Sequence, residues 1–187
     1  LLLLKNNKLS FEDLKESLNK IKNTQVHVVG DTIVDSYSRT NFIGGQTKTP
    51  TFSVLFDKKE DFIGGAAVVA LHLKAAGAKV EFTTVLGDDH LGRYVKKELN
   101  LKGIKVNSLS DNNRPTTNKN TFISSGYRLL KVDTLDNTPI SDETVNSIIS
   151  KIKKSRNKIL IFSDFRHGIF HSNSLFKLLK STSKKHL

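Results

Sequence analysis

Cysteine, methionine and tryptophan are absent from this chain of 187 residues, and proline occurs only three times. Without cysteine there is no disulfide and no thiolate metal site, and the composition fits a reducing cytoplasm. Without methionine there is no initiator residue, so the sequence reads as processed, mis-started or a piece of something longer. Long apolar runs are missing too. Leu1–Leu4 is far too short to cross a bilayer and lacks the basic flank of a signal peptide. Acidic residues are scarce: 18 Asp and Glu stand against 30 Lys and Arg, a formal charge of +12. Such a balance attracts anions, whether nucleic acid, phosphorylated small molecules or acidic surfaces. The lysines are scattered or paired, as at Lys58-Lys59, Lys96-Lys97, Lys153-Lys154 and Lys184-Lys185. With no aromatic residues interleaved, nucleic-acid binding is the weaker reading. With 37% hydrophobic and 26% charged residues, the chain suits a soluble globular protein. Its length favours one domain with a sizeable core.

What is present centres on Asp61–Ala78. Gly64 and Gly65 open a run of small and aliphatic residues that reads as a buried helix, and Gly77 stands where such a helix stops. A glycine pair lets backbone turn sharply and lets a ligand approach a helix N-terminus. Close packing of helix on strand explains the same glycines without a ligand.

The flanking elements alternate. Leu9–Ile21 predicts an amphipathic helix, with Ser10 and Asp13 forming a capping box and Phe11, Leu14, Leu18 and Ile21 on one stripe. Gln25–Val29 predicts a strand ending at Gly30-Asp31, and Val80–Leu86 one ending at Gly87-Asp88-Asp89. Lys158–Phe162 is a continuous apolar run, as for a buried parallel strand, ending at Ser163-Asp164. Helices follow over His90–Leu99, after Ser141, and from Asn173 onward, and Ile104–Leu109 is a further strand candidate. Ser38–Phe62 lacks a helical stripe and suggests a hairpin, and Thr121–Val132 resumes strand character that could pair with it in a small second sheet. Strands alternating with helices give an α/β core with a largely parallel sheet.

Asp31, Asp35, Gly64-Gly65 and Asp164 all fall at predicted strand ends or helix starts, which in a parallel sheet share one rim. Carboxylates there suit polyol recognition, because each accepts hydrogen bonds from sugar hydroxyls. Capping of local turns is the plainer alternative. Asp88-Asp89 precedes a helix and reads as an N-cap rather than a catalytic pair. His167 and His171 have zinc-like spacing, but Gly168 intervenes and no third ligand accompanies them, so no metal site is assigned. No P-loop or dinucleotide fingerprint is present.

Four motifs then come in order: Val28-Val29-Gly30-Asp31-Thr32-Ile33-Val34-Asp35, Gly64-Gly65-Ala66-Ala67, Gly87-x-Asp89-x-x-Gly92 and Ser163-Asp164-Phe165. Together they resemble the N-terminal portion of the ribokinase-like (PfkB) carbohydrate kinases. Arg114-Pro115-Thr116-Thr117-Asn118-Lys119 and Tyr127–Asp133 are similar to the heptose-phosphate kinase branch, which is often fused to a nucleotidyltransferase domain. The resemblance covers about residues 25–174. It implies a three-layer α/β/α core with a small β-sheet lid that closes over the sugar and often forms a dimer contact, the C-terminal part of the fold being missing. Residues 1–23 would be an N-terminal helix and linker, and 24–187 a partial ribokinase-like domain with its lid at about 38–62 and 119–132. Asp31 and Asp35 would hold sugar hydroxyls, Gly64 and Gly65 would line the pocket, Lys119 and Arg128 would meet a substrate phosphate, and Asp164 would stand at the same rim.

Two departures stand out. Where the family commonly has an asparagine soon after the glycine pair, this chain has Val68. The family's Gly-x-Gly-Asp motif, which carries the catalytic base, and its nucleotide site have no match after Asp164. The resemblance therefore implies an ATP- and Mg²⁺-dependent sugar kinase at full length, and a piece that binds sugar weakly and does not turn over by itself. A non-catalytic sugar-binding or dimerisation module is the alternative, and a basic nucleic-acid-binding protein a more distant one.

Overall fold

The computed structural model describes residues 9–44 and 51–182. In chain order the elements are α1 (Phe11–Ile21), β1 (Gln25–Gly30), β2 (Thr32–Gly44), β3 (Ser53–Gly65), α2 (Ala66–Ala75) and β4 (Lys79–Val85). There follow α3 (His90–Leu101), β5 (Lys105–Leu109), β6 (Asn118–Ser124), β7 (Tyr127–Thr134), α4 (Asp142–Lys154), β8 (Ile159–Ser163) and α5 (Ser172–Thr182).

The strands form two sheets. The first is wholly parallel in the order β5-β4-β1-β8, as β–α–β alternation requires. Alternate side chains of β1 and β4 serve opposite faces. Val26, Val28, Val80 and Phe82 pack with Ala66, Ala67, Ala70, Val95 and Leu99 of α2 and α3. Val29 packs on the other face with Val145, Ile148 and Ile152 of α4 and Leu178 of α5. Helices cover both faces, giving three layers. Burying one such large apolar side chain stabilises the fold by about 1.5–3 kcal/mol.

Some expectations are corrected. Lys158–Phe162 was expected to be a buried strand, but β8 is an edge strand of the first sheet, and Ile159 remains 43% exposed. Its apolar run marks a parallel strand whose outer side meets no partner among the described residues. The helix after the glycine pair is fully buried only at Ala66, Ala67 and Ala70, while Val69, Leu71 and Leu73 pack against the core and stay partly exposed. α1 carries the capping box, with the Asp13 N–H donating to Ser10 Oγ at 3.1 Å and the Ser10 N–H donating to Asp13 Oδ2 at 2.7 Å. Its stripe is nevertheless uncovered: Phe11 is 77% exposed, and only Ile21 packs on the core.

The second sheet has the order β3-β2-β6-β7. β2–β3 and β6–β7 are antiparallel hairpins, but the joining pair β2–β6 is parallel. It begins at Thr32, directly after the core strand, rather than at Ser38 where the composition changes. Asp35 therefore lies inside β2 and not at a strand end, which corrects the rim placement expected for it.

Candidate functional site

Between the two sheets the chain passes through Asp31. Its side chain is 2% exposed, and its carboxylate accepts from the N–H groups of Phe165 at 3.0 Å and Ile169 at 3.3 Å. Burial pushes the Asp31 carboxyl up, with a further push from Asp164. Backbone hydrogen bonds from Phe165, Ile169 and His167 pull against it. The loop after β8 is thereby tied to the end of β1.

Gly64 and Gly65 lie beneath the same junction. The Ala66 N–H donates to the Asp31 carbonyl at 2.8 Å, closing β3 and α2 onto the end of β1. Gly65 has φ +62°, and a Cβ there would stand closer than 3.0 Å to the Asp31 carbonyl oxygen. Only glycine fits such a turn. A Cβ at Gly64 would stand 2.6 Å from Asp35 Oδ2. The pair thus brings the Asp31 backbone and the Asp35 carboxylate together over one patch.

The Gly87-x-Asp89-x-x-Gly92 motif builds one wall. Asp89 caps α3, accepting from the Gly92 N–H at 2.7 Å and from the Thr116 N–H at 2.8 Å. The N-cap reading of Asp89 is borne out. The Gly87 N–H donates to Thr116 Oγ1 at 3.0 Å, and a Cβ at Gly87 would meet Thr116 N at 2.6 Å. This knot holds Arg114–Thr117 beside Asp31. Arg114 in turn donates to the carbonyls of Asp136 and Thr138, the latter at 2.7 Å, and lies 3.6 Å from the Asp111 carboxylate.

The lid supplies the opposite wall. Asp35 on β2, Lys119 on β6 and Asp133 on β7 are register partners, so their side chains share one face of the sheet. Arg128 is farther along, where it lines a concavity of about 380 Å³ with Asp35, Tyr37, Thr121 and Lys131. Asn118 fixes the strand pair from the other face, donating to the Val34 carbonyl at 2.9 Å and to Ser36 Oγ at 2.7 Å.

Asp164 is exposed at the end of β8, where it accepts from the Arg166 N–H at 2.7 Å. His167 sits among these groups, its Nδ1 2.6 Å from Asn137 Oδ1. Burial and the Lys119 charge lower its pKa, partly offset by Asp31, Asp133 and Asp164, so the imidazole is neutral near pH 7. His171 lies just before α5 rather than on a helix with His167. Among the described residues no three His, Asp or Glu side chains come together as a metal-ligand set.

The structure thus brings Asp31, Asp35, Gly64, Gly65, Lys119 and Asp164 to one junction and places Arg128 at its outer end. Sequence reasoning missed His167 and Arg114 as site residues. His167 was weighed only as half of a histidine pair, and nothing in the spacing reveals that Arg114 is buried.

A parallel α/β sheet with a second sheet over the carboxyl ends of its strands places this junction where open α/β folds bind their ligands. The pattern of the pfkB family carbohydrate kinases matches residues 23–163, and the chain belongs to that family. It is 28% identical over 153 residues to a D-beta-D-heptose 7-phosphate kinase of Bordetella bronchiseptica, covering 80% of this chain and 48% of that protein. It is 29% identical to the bifunctional protein HldE of a Bradyrhizobium strain, covering 93% of this chain and 36% of that protein. The chain therefore spans about half the length, or less, of these curated relatives. Among solved structures, phosphofructokinase-2 of Escherichia coli aligns with TM-score 0.64 at 14% identity, covering 87% of this chain and 51% of that one. A microbiome-derived acarbose kinase aligns with TM-score 0.60 at 17% identity, covering 88% and 52%. The core and lid are those of the ribokinase-like fold. No helix among the described residues is long and apolar enough to cross a membrane.

Proposed function

We propose that the chain is the sugar-binding, lid-bearing portion of an ATP-dependent cytoplasmic kinase whose acceptor is a sugar phosphate of the heptose 7-phosphate class. The observation that carries this is the rank Asp35–Lys119–Asp133 facing Asp31, Asp164 and His167, since it joins hydroxyl acceptors and a cation in one place. Asp35 and Asp164 accept from sugar hydroxyls. A carboxylate has about four acceptor positions. Two at Asp31 are taken by the backbone N–H groups of Phe165 and Ile169, so acceptor positions remain for a hydroxyl. Lys119 and Arg128 meet the phosphate, and Gly64 and Gly65, lacking Cβ atoms, let the Asp35 carboxylate and the Asp31 backbone close in beside the sugar. Neutral His167 donates or accepts without repelling Lys119.

ATP and Mg²⁺ are the family's cosubstrate and metal. The rim groups of the described residues are mainly carboxylates, which do not fit a triphosphate, so no step through the nucleotide is derived. Phosphoryl transfer rests on positioning and on charge stabilisation at the transferred group. These residues supply the acceptor's position alone, and the chain by itself is expected to be inactive. The bifunctional relatives support a longer protein carrying a nucleotidyltransferase.

Calorimetric titration with a heptose 7-phosphate tests the reading. Asp35→Asn and Lys119→Ala should each weaken binding at least tenfold, and removing the sugar's phosphate should abolish the Lys119→Ala effect. Equal binding with and without the phosphate, unchanged by either variant, refutes the acceptor class. Turnover of ATP and sugar by this chain refutes its inactivity.

A second reading is a non-catalytic sugar-binding and dimerisation module. Phe42, Phe52, Leu55 and Phe56, exposed on the lid hairpin, favour pairing with a second copy. Sedimentation of Phe56→Glu against the wild type decides whether a lid dimer exists.

A further inference from the structure

The end of the parallel sheet remote from the lid holds a feature that a sugar site does not use. At the amino ends of β1, β4 and β5 a concavity of about 440 Å³ is lined by Lys74, Lys79, Lys105, Lys154 and Arg156, with Glu81 in its floor. Lys79 and Lys105 begin two adjacent strands, Lys74 comes from the last turn of α2, and Lys154 and Arg156 come from the end of α4 and the turn after it. Five cations from four separate segments converge on one basin.

The single carboxylate cannot neutralise them. Glu81 Oε1 accepts from Asn107 Nδ2 at 2.9 Å and lies 2.9 Å from Lys105 Nζ. Its Oε2 accepts from Ser155 Oγ at 2.9 Å and Asn157 Nδ2 at 3.0 Å. Both oxygens are committed, and the floor is fixed. Among the described residues Lys74, Lys79, Lys154 and Arg156 form no salt bridge. Lysines at a helix C-terminus often do no more than offset the helix dipole. Here the C-termini of α2 and α4 contribute about half a negative charge each. Set against five cations and one carboxylate, that leaves about +3 facing the basin.

We propose that this basin binds a small polyanion, a compound with two or three linked phosphates, at a site separate from the lid junction. The volume accommodates such a group with its oxygens reaching cations on several sides. An extended nucleic acid would need a longer cationic track.

The test is calorimetric titration of the whole chain with inorganic tripolyphosphate at about 100 mM salt, where the Debye length is about 10 Å. Lys79→Ala with Arg156→Ala removes two exposed cations that do not touch Glu81, and circular dichroism melts of the wild type and this variant should coincide. Lys15→Ala with Lys97→Ala removes the same charge elsewhere. Saturable one-to-one binding, weakened at least tenfold by the basin pair and less than twofold by the control pair, is the expected result. Equal weakening by both pairs would mean attraction by net charge alone and overturns the proposal. So does the absence of saturable binding, or binding of RNA without binding of tripolyphosphate.

Discussion

Replacing Arg114 tests the physical account of the site's wall. Arg114 is 8% exposed, and its guanidinium holds the carbonyls of Asp136 and Thr138 together with the Asp111 carboxylate. Breaking a buried ion pair by removing one partner costs about 3–5 kcal/mol. Asp111 would keep its bonds from the Ser141 N–H at 3.1 Å and Thr144 Oγ1 at 2.8 Å, so Arg114→Met should fall near the lower limit. With a urea m-value of about 2 kcal/mol/M, the midpoint should drop by roughly 1.5 M. Arg114→Lys keeps the charge but not the fork that reaches two carbonyls, and should cost about 1–3 kcal/mol. The same variants should free the 136–138 turn and with it the bond between Asn137 Oδ1 and His167 Nδ1. Partial relief of burial then moves the His167 pKa up toward its ordinary value, which an NMR titration reads directly. A midpoint for Arg114→Met within 0.5 M of wild type, or an unmoved histidine, would refute the reasoning.

Other substitutions address the remaining links. Gly65→Ala forces a Cβ onto the Asp31 carbonyl at φ +62°, and strain of about 1–3 kcal/mol plus overpacking of similar size should show in chemical denaturation. Ser10→Ala removes the α1 cap at a local cost of about 1 kcal/mol. Since α1 buries no residue, amide exchange in residues 11–21 should quicken while the global melting temperature barely moves. Hydrogen bonds hold the carboxyls of Glu81, Asp89 and Asp111 below their ordinary values, although burial pushes each up. Their contribution to stability is present above the unfolded carboxylate range near pH 4 and is lost as pH falls through the lower folded values. Asp31, raised by burial, works in the opposite direction and loses its contribution as pH rises through its folded value. Urea midpoints should therefore fall below pH 4, and Asp111→Asn should flatten that fall.

The legible parts of this fold are those set by local chemistry. The Ser10–Asp13 box, the Asp89 cap, the Ser141 cap and the glycine after α2 each announce a helix boundary through the hydrogen bonds a helix end leaves unmade. The alternation of strand and helix likewise foretells the parallel core. What stayed hidden depends on neighbours distant in sequence. The apolar run of β8 looks the same in the middle of a sheet as at its edge. Asp35 seemed to end a strand because Asp31 does, whereas β2 runs straight on from β1 into the lid. Arg114 and His167 matter because the Asp89 knot and the Asp31 hydrogen bonds carry them to one place, and no spacing rule records that.

The lid is joined to the core at Asp31 and at Gly65, with the Ala66 N–H bonded across them, and at Asn118 just beyond the Arg114 loop. No slack chain separates lid from core at Asp31 or at Gly65. A tilt of the lid must therefore twist the backbone of Asp31 itself, and the Asp31 carboxylate grips the loop that carries His167. Mechanically, a closing of the lid would carry a reshaping of the far wall with it. A ligand that draws the lid down would be felt at once on the other side of the cleft.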